Sequence, residues 1–240
     1  MVTLIQVKVK AVFAPYQVQV LTIKISHIMG KIKQGILGGF SGTVGTVVGG
    51  NWKGINYMRS KAQKVSNPKT DGQMSQRTKF ALALNFLKPM GTFLRTGFKL
   101  YSTKQTPFNA AMSYTLANAI SGTFPDYSMD YSLALVTRGP LTTVSGGSAT
   151  IAGGNISVSW SDNSGVGDAK QTDKSLIVVL NPLKNEAVYE TAGADRMTGI
   201  HEIALPADWM GDSVEVFVGF ISEDAKAVSN SVYLGSVVVA

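Results

Sequence analysis

The chain has 240 residues and 25.5 kDa, with 45% hydrophobic and 15% charged side chains. That is enough apolar material for packed cores and excludes global disorder. There is no cysteine, and His27 and His201 are the only histidines; this rules out disulfides, thiolate metal sites, iron–sulfur clusters and cysteine nucleophiles, and leaves little for zinc.

The net charge of +7 conceals a division. From residue 1 to Lys104, sixteen bases face a single acid, Asp71, whereas from residue 105 onward six bases face fourteen acids. Such asymmetry points to a basic part that meets a polyanion, and equally to a basic half that docks on the acidic half of a neighbouring copy.

Residues 1–28 alternate β-branched and polar side chains. Pro15, Gln17 and Gln19 interrupt the apolar run that an export signal needs, and no segment reaches the roughly 18 apolar residues of a membrane span. The expected location is therefore cytoplasmic. Met29 opens a new texture, MGKIKQGILGGFSG, so residues 1–28 read as a spurious upstream start, with an edge strand as the competing reading.

Glycines then recur at Gly35, Gly38, Gly39, Gly42, Gly45, Gly49, Gly50 and Gly54. No phosphate-loop or dinucleotide spacing is present. Val44, Val47, Val48, Ile55 and Tyr57 instead predict short strands or an extended arm that packs against something. In the following NWKGINYMRSKAQKVSNPKT, cations interleave with Trp52 and Tyr57. Lys53, Arg59, Lys61, Lys64, Lys69, Arg77 and Lys79 form the candidate polyanion-binding set, because cations hold phosphates while rings stack on bases. A solvated, half-buried hairpin explains the same residues.

Asn67-Pro68 marks a stop, and Thr70 with Gln73 has the pattern of a capping box opening a helix. Its apolar side carries Met74, Phe80, Ala81, Leu84 and Leu87 and ends at Pro89. A second helix groups Phe93, Leu94, Gly97, Phe98 and Tyr101. Thr106-Pro107 starts a third, almost uncharged helix that Gly122 closes.

From Leu133 the texture is β, with strands predicted at residues 133–136, 156–160, 176–180, 187–191, 200–205, 214–221 and 232–239. The fold class is thus α+β: a basic glycine-rich arm or short strands and about three helices, then an all-β sandwich of immunoglobulin or fibronectin type III kind. The expected division is 1–28 extension, 29–130 basic helical domain and 131–240 acidic sandwich.

Chemistry finds few carriers. His201 lies on a strand with no identifiable nucleophile or carboxylate beside it. Asp162 and Asp168 flank SDNSGVGD, which lacks calcium-loop spacing and reads as a sandwich turn. No catalytic, cofactor-binding or metal-binding residue is assigned, and no cofactor or small-molecule substrate is expected.

The stretches MGKIKQGILGGFSGTVGTVVGGNWKGINYMRS, NPKTDGQMSQRTKFALALNFLKP and FNAAMSYTLANAISGTFPDYSMDYS resemble an uncharacterised domain-of-unknown-function family of Bacteroidota. The resemblance runs from Met29 to the C-terminus and implies no established activity. The pattern of Asn67, Pro68, Thr70, Gln73 and Arg77 is also similar to stretches in phage and mobile-element structural proteins. The expected function is a non-enzymatic structural or assembly protein, of phage or mobile-element origin, whose basic half contacts an acidic partner or a polyanion. Its partner would be a second copy or another protein. The alternatives are a nucleic-acid-binding protein, and a surface- or carbohydrate-binding protein that uses the sandwich.

Overall fold

A computed structural model describes residues 31–32, 38–63, 67–103 and 105–240, with the backbone alone at 31, 32 and 152. The expected extension 1–28 and Lys64 lie outside the described residues. Two compact units part between Asn67 and Pro68.

The first unit holds an antiparallel sheet of β1 (Lys31–Ile32), β2 (Phe40–Val44), β3 (Val47–Trp52) and β4 (Ile55–Ser60), in that spatial order. The short strands predicted in the glycine-rich segment are therefore present. β3 and β4 turn through Lys53 (φ 48°) and Gly54 (φ 87°). Two consecutive positive φ values match the right-handed twist of a two-residue hairpin. Asn51 secures the turn, its Oδ1 accepting the Gly54 N–H at 3.1 Å.

The second unit opens with α1 (Asp71–Leu87). Thr70 is its N-cap residue, but the predicted capping box does not form, because no side-chain bond is made there; the turn is closed by Met74 N–H donating to Thr70 O at 2.9 Å. α2 (Phe93–Gly97) and a 3-10 turn at Lys99–Tyr101 take the place of the predicted second helix. α3 (Pro107–Asn118) starts as predicted, with Thr106 Oγ1 accepting the Asn109 N–H at 3.1 Å. It ends four residues before Gly122. Ile120–Thr123 forms β5, paired with β6 (Asp126–Met129), and Gly122 (φ 94°) sits inside this hairpin.

Seven further strands make two antiparallel sheets. β7 (Ser145–Ala152), β8 (Asn155–Ser161) and β11 (Ile200–Ala204) form one, in the order β11-β8-β7. β9 (Lys174–Asn181), β10 (Glu186–Glu190), β12 (Ser213–Ile221) and β13 (Val232–Val238) form the other, ordered β10-β9-β12-β13. The strand predicted at 133–136 is instead a 3-10 turn at Tyr131–Leu133 followed by an extended segment. That segment is anchored by Val136 N–H to Ser231 Oγ at 2.9 Å. β7 was not predicted, since its Gly146, Gly147 and Ser148 hide the strand pattern. A Cβ on Gly147 would come within 2.6 Å of Leu234 Cδ2, so that side chain would have to shift to admit one.

Two cores explain the layering. Between the sheets lie Ile156, Val158, Trp160, Ile177, Val179, Trp209, Val216 and Phe220. On the opposite face of the four-stranded sheet, Leu176, Val178, Leu180, Phe217 and Ile221 pack with Phe86, Leu87, Phe93, Leu94 and Ala111 of the helices. β9 and β12 are consequently buried on both faces; β9 reads as a continuous apolar run, and β12 as an apolar run interrupted at Glu215 and Gly219. The expected boundary at residue 130 crosses this second core. A helix with one apolar side must bury it, and here it is buried on β9 and β12.

Candidate functional site

Of the seven cations singled out in the sequence, Lys64 lies outside the described residues and the other six divide between the two units. Lys53 occupies the β3–β4 turn, Arg59 lies on β4, and Lys61 follows β4 with its N–H donating to Thr46 O at 2.7 Å. Lys69 (φ 51°) precedes α1 in the second unit, where Arg77 and Lys79 sit on the helix. Lys79 Nζ lies 4.8 Å from the centre of the Tyr127 ring, so its charge is engaged with the β5–β6 hairpin. Lys53, Arg59 and Lys61 thus belong to one sheet, and Lys69, Arg77 and Lys79 to the other unit.

That first sheet has two chemically different faces, which the pairing register separates. Val47 opposes Ser60, Gly49 opposes Met58 and Asn51 opposes Asn56, while Val44 opposes Val47. Directly opposed residues share a face. This face, to which Phe40 also belongs, contains no ionisable group among those residues, and Phe40 covers Gly49, where a Cβ would meet the ring at 2.6 Å. On the other face Val48 opposes Arg59, Gly50 opposes Tyr57 and Trp52 opposes Ile55. Every residue of β4 is exposed. Ile55 is 69%, Met58 71%, Trp52 60% and Tyr57 48% accessible, an unusual display of large apolar side chains.

In the second unit an open groove of about 750 Å³ lies among Lys88, Arg95, Thr106 and Phe108. Its two cations favour anions, and no carboxylate or histidine lines it. His201 lies half-buried on β11 and accepts the Ala194 N–H on Nδ1 at 3.2 Å. A catalytic base of the serine-hydrolase kind instead donates Nδ1–H to a carboxylate, so this imidazole is arranged otherwise. Glu215 is buried on β12 and satisfied by Tyr233, whose hydroxyl donates to Oε2 at 2.5 Å; burial and this bond raise the Tyr233 pKa. No group of three metal-ligating side chains occurs among the described residues, and no described helix is long and apolar enough to cross a membrane.

The loop at 162–168 is an ordered turn. Asp168 Oδ1 accepts both Oγ1–H (2.7 Å) and N–H (2.8 Å) of Thr142, and Asp162 Oδ1 accepts the Ser164 N–H at 2.9 Å. These bonds hold both carboxylates below their ordinary pKa. A carboxyl depressed by folding adds stability that is full above its unfolded pKa of about 3.9 and is lost as pH falls through the lower folded value. In acid titrations followed by circular dichroism, Asp168→Asn is therefore expected to flatten the decline of stability below about pH 4.

Residues 39–235 match the sequence family described as "Family of unknown function (DUF6266)". The chain belongs to DUF6266. The DUF6266 match takes in β2–β4 as well as the helices and both later sheets, so the exposed sheet lies within the family's shared region. No curated protein and no solved structure matches the chain.

Proposed function

We propose that this DUF6266 member is a non-enzymatic assembly protein that uses its N-terminal sheet to bind a second copy of the chain. The observation that carries this reading is the uncharged face of that sheet, with Val44, Val47 and Met58 exposed. Isolated small sheets need an apolar face covered by something to be stable. A face free of charge can also meet its own image across a two-fold axis without like-charge repulsion.

The second unit would serve as the rigid body that carries the sheet. Lettered in chain order, β7, β8 and β11 correspond to strands A, B and E, and β9, β10, β12 and β13 to C, C′, F and G. Sheets ordered A-B-E and C′-C-F-G support a fibronectin-like sandwich with helices added to one face. The likeness of Asn67 to Arg77 to phage and mobile-element structural proteins fits an assembly role.

Light scattering coupled to size exclusion, run over a wide concentration range, tests this reading. The wild type is expected to associate reversibly. Met58→Lys is expected to weaken association by at least roughly ten-fold, since an unpaired charge would be buried in the contact. A wild type that stays monomeric at every concentration would overturn the proposal.

A further inference from the structure

We infer that the opposite face of the N-terminal sheet, carrying Trp52, Tyr57 and Arg59, binds single-stranded nucleic acid by stacking bases on its two rings. This does not rest on the assembly reading, which uses the other face.

Three observations converge on it. Trp52 opposes Ile55 and Gly50 opposes Tyr57, so Trp52 and Tyr57 are diagonal neighbours on one face, a spacing within reach of aromatic side chains. Both are substantially exposed, at 60% and 48%. The Tyr57 ring rests on the bare backbone of Gly50, where a Cβ would come 2.7 Å from Cζ. A ring laid across a glycine presents its outer surface as a flat platform, and the missing side chain leaves nothing to shield it.

Charge supplies the second half of recognition. Arg59 is two residues beyond Tyr57 on the same strand and therefore points to the same face. Lys53 lies in the adjoining turn, and Lys61 follows the strand. No acid precedes Asp71 in the chain, so no carboxylate of this segment opposes a phosphate backbone. Cations beside exposed rings on a sheet are the combination by which single strands are held: charge tracks the backbone and the rings stack on bases of any sequence. A duplex keeps its bases stacked on one another and cannot use the rings. An acidic protein surface would use the cations and leave the rings idle.

The test is fluorescence anisotropy of labelled oligothymidylate titrated with the full chain at about 50 mM salt, where phosphate contacts are strong. Binding is expected, with log affinity falling by about 0.7 per phosphate contact as log salt rises. Trp160 and Trp209 are buried, so quenching of tryptophan emission on binding reports Trp52 and disappears in Trp52→Phe. Trp52→Ala or Tyr57→Ala should weaken binding by roughly ten- to hundred-fold. Trp52→Phe, which keeps a ring, should retain most of it. Arg59→Gln should reduce the salt dependence by about one contact. Met58→Lys, on the other face, should not weaken binding, so loss of association and loss of nucleic-acid binding are read separately. Three results would each overturn the inference: no binding of the oligonucleotide, equal binding by the alanine variants, or equally tight binding of duplex DNA or heparin, which would mean charge alone.

Discussion

Phe217→Ala is expected to lower the unfolding free energy by about 3–5 kcal/mol, the usual cost of emptying a fully buried aromatic site. It is also expected to shift the melting of helices and sheets together. Phe217 is 0% exposed on β12, and its ring lies 6.0 Å from Phe86 of α1 and 5.2 Å from Tyr233 of β13. Phe93 of α2 similarly meets Tyr189 of β10 at 5.7 Å. Removing Phe217 therefore opens a cavity bounded by a helix on one side and the four-stranded sheet on the other. Two separate domains would respond separately, the helical signal at 222 nm surviving while near-ultraviolet signals from the sheets shift. One shared core demands a single transition for residues 68–240, read by urea titration with both probes. Two transitions, only one of them moved by the substitution, would refute the shared core and restore a boundary near residue 130. Truncation offers the same answer by another route: residues 68–130 alone would leave Phe86, Leu87 and Phe93 without the sheet that buries them, and no stable helical fold is expected.

A change of texture in the sequence suggests the division at residue 130, and the texture does change there. What a single sequence did not disclose is which surface covers the apolar side of α1 and α3. A clue exists in SLIVVL. A sandwich strand with one face on the core and one in water alternates, whereas this run does not, and its unbroken pattern marks burial on both faces; VEVFVGF has the alternation of a one-sided strand because Glu215 interrupts it, although it too is buried on both faces. A large apolar side chain inside a strand pattern marks a core position in the sequence itself, as Trp160 does in SVSWS. β7 was not legible, because Ser145 to Ser148 pairs through small residues, with Ser148 Oγ and Ser159 Oγ bonded at 2.8 Å. Hairpins were legible where turn chemistry is specific, as at Lys53-Gly54, and obscured where a helix-like alanine segment runs directly into a strand, as at Ala119-Ile120.

The candidate binding residues show the same division. The sequence groups cations by adjacency, and adjacency carried Lys53 through Lys79 into one set. Strand alternation separates them by face, so Arg59 joins Tyr57 and Trp52, while Met58 between them joins Val47. The helix cations belong to another unit. The rings were visible from the start, but their common face follows only from register, which depends on the tight turn at Lys53 and Gly54.

Arg196→Met is the second substitution expected to be severe, at about 3–5 kcal/mol, because it strands a carboxylate in the interior. Arg196 and Asp173 are both 0% exposed, and Arg196 Nε donates to Asp173 Oδ2 at 3.1 Å. The guanidinium also donates to Asn163 Oδ1 at 2.6 Å and to Thr142 O at 3.0 Å, and it stacks 3.8 Å from the centre of the Phe220 ring. Burial pulls its pKa below the ordinary arginine value, and Asp173 opposes that pull; an arginine nevertheless stays protonated at neutral pH. One side chain therefore ties the 162–168 turn, the segment before β7 and the strand β12 around a single charge. Its backbone contributes as well, since Arg196 O accepts the Trp160 Nε1–H at 2.8 Å. Arg196→Lys keeps the charge but not the fork of donors, so it should recover only part of the loss. Pairing Arg196→Met with Asp173→Asn removes the stranded charge and should cost less than the two single effects added. That non-additivity, measured by urea titration, separates an ion pair from mere packing. If the double variant were as unstable as the sum of the singles, the charge would not be the cause, and the stacking of Arg196 on Phe220 would have to account for the loss.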